Sequence, residues 1–175
     1  MEKLKKIIAT LALGILVIIP AGCGKKGIPD NLREKVNMYF EFWNTGQFEN
    51  IESVVTRDFT RIESPHFEPR TGIEYLKKLV ANTRVTYPDF RLTIEEIIYE
   101  KNKAAIIWRV TGTQNGPGEI PPTGRTINSK GMSVMYFLDG KISEEWLSNN
   151  NLLLLMQLGY TLTPPPSGTE TEPMQ

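Results

Sequence analysis

The feature that most constrains the fold of this sequence is a change of period partway along the chain. Between Asp30 and Tyr87 apolar residues recur at helical spacing. From Phe90 onward they alternate with polar ones in four runs: Arg91 to Glu100, Lys103 to Gln114, Arg125 to Leu138 and Lys141 to Ser148. A period near 3.6 lays one apolar stripe along a helix, whereas a period of two gives a strand one buried face. In the first region Leu32, Val36, Tyr39 and Trp43 form an amphipathic stripe behind Asp30, a residue suited to the N-cap, and Gly46 offers an exit. Gln47 to Val55 predicts a second short helix and Asp58 to Ile62 a short strand. Thr71 and Glu74 have the spacing of a capping box at the head of a third helix, which Tyr87-Pro88 terminates. Asp139-Gly140 is a two-residue hairpin signal between the last two strands, and "NNNLLLLMQLG" predicts a short closing helix. Helices followed by an antiparallel meander argue for an α+β domain in which N-terminal helices cover one face of a curved sheet.

The domain is expected to span residues 30–160. Ahead of it, Lys3, Lys5 and Lys6 precede an apolar run from Ile7 to Ile19 that is short for a membrane span and fits a secretory leader. The leader ends in Ala21-Gly22-Cys23, which resembles the bacterial lipobox, although Pro20 replaces the usual aliphatic residue. The expectation is a signal peptide over 1–22, lipidation of Cys23, a tether over 23–29 and a polar, Pro-rich disordered tail over 161–175. Cys23 is the only cysteine, so the chain cannot form an internal disulfide, and lipidation accounts for an unpaired thiol in an exported protein. An ordinary leader or an uncleaved anchor is the alternative. The implied location is the bacterial cell envelope, with the domain held on a membrane and facing away from the cytoplasm.

Twenty basic residues balance twenty acidic ones, and no Lys/Arg run is long enough to track phosphates, so nucleic acid is not an expected partner. The chain has one histidine and one cysteine, so it lacks the residues of a zinc site, and neither metal nor cofactor is expected.

Alternation puts Ile106, Trp108, Val110, Gly112 and Gln114 on one side of their strand. It also groups Met132, Val134, Tyr136 and Leu138, and, in the last strand, Glu144, Trp146, Ser148 and Asn150. Taken as inner faces, these rows serve a packed core as readily as a pocket. The stretch "GTQNGPGEIPPTG" at 112–124 reads as a hairpin connection and, beside such a face, as the rim of a site.

The strings "GTQNG…PPTGR", "YFLDGKISEEW" and "LLLLMQLG", with "YFEFWNTGQFENIESVVTRDF" and "YPDFRLTIEEII" before them, resemble the SnoaL-like polyketide cyclase family, which is ester-cyclase-like and has the cone-shaped fold of nuclear transport factor two. The resemblance covers about Asp30 to Gly159. It implies a cavity between the helices and a strongly curved antiparallel sheet, closed by a short C-terminal helix and able to enclose a small hydrophobic molecule. It also implies a general-base Asp four residues after the tryptophan of the last strand and a His after the Gly-Thr of the hairpin strand. Those positions here are Asn150 and Gln114. Neutral amides exchange hydrogen bonds but take no proton from carbon, so the family's aldol chemistry is not expected.

The expected ligand-binding residues are therefore Trp43, His66, Trp108, Gln114, Tyr136, Trp146 and Asn150. Asn150 is equally suited to cap the closing helix, and Gln114 to bond at a strand end. Glu144 lies six residues before Asn150, roughly 20 Å along an extended strand, too far to act on the same atom. His66 in "SPHFEPRTG" or Glu119 in the hairpin loop would carry the chemistry of an enzyme of altered mechanism. Homodimerisation through the outer sheet face is the remaining reading, as a protein-interaction module.

Overall fold

A computed structural model describes residues 30–63 and 68–164. Cys23 and the leader, His66 and the end of the Pro-rich tail lie outside the described residues. Helix α1 (Asp30–Thr45) leads through α2 (Ile51–Val54) into β1 (Val55–Glu63) and the two-residue β2 (Arg70–Thr71). Helix α3 (Ile73–Thr86) then precedes the meander β3 (Arg91–Glu100), β4 (Lys103–Thr113), β5 (Thr126–Leu138) and β6 (Lys141–Asn149), and α4 (Asn151–Gln157) follows. The six strands form one sheet in the order β2-β1-β6-β5-β4-β3. All neighbours are antiparallel except β1 and β6, which run parallel. This is the α+β architecture expected from the change of period.

Helices α1 and α3 fill the concave side. Val36 and Tyr39 of α1 and Leu76 and Val80 of α3 are fully buried against Phe59, Ile106, Met135 and Ile142 of the sheet. The end of α1 is locked by Asn44, whose side chain acts as a strand partner: its Nδ2 donates to the Leu92 carbonyl (3.0 Å) and its Oδ1 accepts from the Leu92 amide (2.7 Å). Arg84 of α3 donates to the carbonyls of Trp43 and Asn44, supplying partners that the last turn of a helix otherwise lacks.

Two details of the helices differ from the sequence reading. Val55 to Arg57 belong to β1, so the second helix is a single turn. Gly72, at φ 99°, holds the N-cap of α3 without a side-chain bond, and Thr71 pairs with Thr60 across β1 and β2 instead of forming a capping box. The strand pairing competes for Thr71, and only glycine accepts the backbone angle that follows it.

The curvature comes from bulges, at which one strand carries an extra residue and bends. Glu95 is the extra residue of β3 opposite β4, and Ser143 that of β6 opposite β5. Each reverses which side chains face inward beyond it. Before Ser143 the buried residue is Ile142, and after it Glu145 and Leu147 are buried.

Between β3 and β4 the edge is tied by Asp89, whose carboxylate accepts from the Thr113 amide (2.6 Å) and the Thr113 hydroxyl (2.8 Å). These bonds, the backbone one first, hold Asp89 below the ordinary carboxylate range. A depressed folded-state value contributes stability above the unfolded value, about 3.9, that disappears as pH falls through the folded one. The gap in urea midpoint between wild type and Asp89→Asn is therefore expected to be constant near neutrality and to close below about pH 4. A gap that persists undiminished at about pH 2 would contradict this role.

Candidate functional site

Between the helices and the concave sheet lies a chamber of about 230 Å³. Phe40 and Trp43 of α1 and Leu79 and Thr83 of α3 form one wall, while Leu92, Trp108, Val110 and Leu147 of the sheet form the opposite wall. Tyr87, Phe90 and Leu154 close its sides. Two aromatic residues expected at the site, Trp43 and Trp108, thus meet here. The indole of Trp108 fits because β5 presents Gly131 and Ser133 to it. A Cβ on Gly131 would fall 2.2 Å from Trp108 Cη2, and Ser133 Oγ accepts the indole N–H at 2.9 Å.

Behind the apolar walls is a buried polar cluster centred on Glu145, which is 5% exposed. Its Oε1 accepts from Ser133 (2.8 Å) and its Oε2 from the Tyr39 hydroxyl (2.6 Å). Arg61 Nε stands 3.3 Å from the same Oε2 as an ion pair. Arg61 also donates from Nη1 to Glu63 Oε2 (3.1 Å) and lies 5.4 Å above the Trp43 ring. Glu63 in turn accepts from Asn149 Nδ2 at 3.0 Å. Burial, reinforced by the Glu145 carboxylate, pushes the Tyr39 phenol well above its ordinary range. Burial alone would lower Arg61, but the attraction of Glu145, followed by that of Tyr39 and Glu63, raises it, so the guanidinium is a fixed positive charge.

Arg61 and Glu63 also border a second cavity of about 250 Å³, which includes Glu68, Arg70, Tyr75 and Glu119. The ion pair stands between the two spaces. Glu119 reaches this outer cavity and not the chamber.

The remaining expected residues are not brought together. Gln114 shares the inner face of β4 and is 1% exposed, but its side chain is turned into its own loop, donating to the Ile120 carbonyl (3.3 Å) and accepting from Thr123 (2.8 Å). The Gly-Pro loop is folded around this amide. It docks on the end of α3, where Gly116 N–H meets the Thr86 carbonyl and a Cβ on Gly116 would sit 1.8 Å from the Val85 oxygen. Gln114 borders a surface groove beside the chamber.

Tyr136, Trp146 and Asn150 point away from the chamber, contrary to the sequence reading. Tyr136 lies on the outer face with Lys103 4.9 Å from its ring, and Trp146 is 46% exposed, its indole donating to Glu144. For Trp146 and Asn150 the Ser143 bulge is the cause, since it exchanges the faces of Glu144 and Glu145 and of Asn150 and Asn149. In β5 the inner row runs Ile127, Ser129, Gly131, Ser133, Met135 and Phe137, with Gly131 and Ser133 small where Trp108 packs, so Met132, Val134 and Tyr136 face out. Over residues 131–134 the small residues thus lie inside and Met132 and Val134 outside, the reverse of ordinary patterning.

Asn150 caps α4, its Oδ1 accepting from the Leu153 amide at 2.9 Å. Replacing it with alanine is expected to lower stability by about 1 kcal/mol and to speed amide exchange in α4, leaving the chamber unchanged. An equal or higher urea midpoint in Asn150→Ala would refute the capping role.

The sequence reading missed Tyr39, Arg61, Glu63, Ser133, Glu145 and Asn149. For Arg61, Glu63 and Glu145 the available signal was charge at strand positions; Tyr39, Ser133 and Asn149 carried none. Among the described residues no group of three His, Cys, Asp or Glu side chains is placed to hold a metal ion.

Comparison with solved structures supports the architecture. A SnoaL-like protein from Jannaschia sp. CCS1 superposes with a TM-score of 0.69 at 21% identity, covering 81% of this chain and 100% of the other. A protein of the polyketide cyclase type from Bacillus cereus ATCC 10987 gives 0.63 at 29% identity, covering 74% and 80%. TsrD from Streptomyces laurentii gives 0.68 at 22% identity, covering 75% and 97%. A search of curated proteins returns no match. The sequence model of the SnoaL-like polyketide cyclase family matches residues 33–158, and with the cone and its chamber in place the chain belongs to that family.

Proposed function

We propose that this chain is a lipid-anchored envelope protein whose cone binds a small, mostly apolar molecule without the family's aldol-cyclase chemistry. The observation that carries the reading is the chamber of about 230 Å³, walled by aromatic and aliphatic side chains around a few convergent polar groups. Such a lining is the common form of a small-molecule site. The two positions at which the family places its proton-handling residues hold amides committed elsewhere, Asn150 to a helix cap and Gln114 to a loop. Native mass spectrometry of protein purified from membranes is expected to reveal a co-purifying small molecule that is lost on solvent extraction. Consistent absence of any guest, with no uptake of added apolar probes, would overturn the reading.

The anchoring rests on the leader and Cys23. Labelled palmitate is expected to enter the wild-type chain and not Cys23→Ser. Incorporation by both would show that Cys23 is not the lipidated residue.

A second reading, an enzyme of altered mechanism, is favoured by Glu63, a carboxylate that lines the chamber and is 29% exposed. It would require turnover that Glu63→Gln abolishes while guest binding survives.

The outer sheet face supports a homodimer. Ile98, Ala105, Val134 and Trp146 stand opposite one another across four strands, forming a continuous apolar row, of which Ile98 is 61% and Trp146 46% exposed. Sedimentation of Val134→Lys as a monomer beside a dimeric wild type would support this surface, whereas a monomeric wild type would exclude it.

A further inference from the structure

We infer that the guest is a small protonated amine bearing an apolar substituent, and that Glu63 and Asn149 receive its ammonium group. The inference rests on the chamber being a ligand site and specifies the chemistry of the occupant.

The charge of the lining is unbalanced. One guanidinium, Arg61, faces two carboxylates, Glu63 and Glu145, and it is engaged with both. Among the described lining residues this leaves one carboxylate in excess, with Glu63 the more accessible of the two. A carboxylate guest would add to that excess, and Arg61 has no uncommitted charge to offer it.

The hydrogen-bond inventory points the same way. Three of the protein's donors are spent internally, the Trp108 indole on Ser133 and the Ser133 and Tyr39 hydroxyls on Glu145, while Arg61 Nε makes no hydrogen bond and is held 3.3 Å from Glu145 Oε2 as an ion pair. Asn149 donates from Nδ2 to Glu63, and because an ionised carboxylate only accepts, this bond fixes which way the amide points. Its Oδ1 is consequently left as a buried acceptor with no partner. Buried acceptors without partners are uncommon and call for an explanation. A donor on the guest supplies it, and the neighbouring Glu63 makes a charged donor preferable to a neutral one.

The walls suit the same head group. Trp43, Tyr87, Phe90 and Trp108 line the chamber, and the Arg61 guanidinium already rests on one face of Trp43. Aromatic faces attract cations through the ring quadrupole. An ammonium guest would thus meet two oxygen acceptors and aromatic surface, while its substituent displaces water from apolar walls.

The test uses three probes with one skeleton: 2-phenylethylamine, 2-phenylethanol and phenylacetate. Each is titrated calorimetrically into the full chain held in phosphatidylcholine nanodiscs, with empty discs subtracted. The amine is expected to bind about tenfold more tightly than the alcohol, and the acid at least as weakly as the alcohol. Glu63→Gln is expected to shrink the amine preference to within about threefold while alcohol binding is retained, which separates lost recognition from lost folding. Alcohol or acid binding as tight as amine binding would overturn the amine assignment and leave the chamber as a ligand site. Amine preference undiminished in Glu63→Gln would overturn the role given to that carboxylate. Failure of all three probes to bind would overturn the ligand-site reading together with this one.

Discussion

Glu145→Ala is expected to destabilise the domain by about 3–5 kcal/mol, the largest effect of any single polar substitution in it. The carboxylate accepts from Tyr39 and Ser133 and pairs with Arg61 at a site that is 5% exposed. Its removal leaves the Tyr39 and Ser133 hydroxyls without their acceptor and Arg61 with Glu63 as its remaining partner, and buried polar groups left unsatisfied cost more than a lost methylene. Urea denaturation of the variant measures the loss. Because the cost arises from stranded partners, Arg61→Met combined with Glu145→Leu should recover a large part of it, and a double-mutant cycle would show strong coupling. Additive losses would mean that the two side chains act independently, against the geometry described above.

Gly131→Val is expected to cost about 1–3 kcal/mol and to disturb the chamber at the same time. Even a single methyl carbon at this position would lie within 2.2 Å of Trp108 Cη2 and 2.4 Å of its Cζ2. The indole is buried and tethered through Nε1 to Ser133, so it has no free direction except into the chamber. Near-ultraviolet circular dichroism should change, and uptake of small apolar probes should fall even where the variant is folded. An unchanged spectrum and urea midpoint would show that the strand yields and the ring does not.

The contrast between what the sequence discloses and what it conceals follows from the range of each interaction. The four long strands, the Asp139-Gly140 turn and the closing helix all appear at nearly the expected bounds, since each depends on local periodicity or on residues that accept positive φ, as Asp139 (50°) and Gly140 (74°) do. Trp108 could be assigned to the inner face because β4 alternates without interruption. Trp146 and Asn150 could not be assigned. A bulge leaves little imprint on sequence, and one extra residue at Ser143 reverses every later side chain of β6. The polar cluster was hidden for a related reason. Arg61 and Glu145 are charged residues in strands, which alternation alone assigns to solvent, and only the tertiary structure brings them together across β1 and β6. Glu144 and Glu145 are chemically identical neighbours, and the bulge alone decides which of them enters the core.

The parallel pairing of β1 with β6 also bears on how the molecule comes into being. Register partners such as Ile62 and Trp146 are separated by most of the domain's length, so a nascent chain emerging from the ribosome cannot complete its sheet until the final strand has cleared the exit tunnel. Until then β1 offers an unpaired edge, and Arg61 lacks the carboxylate of Glu145. Assembly of the complete sheet is therefore deferred to the end of synthesis.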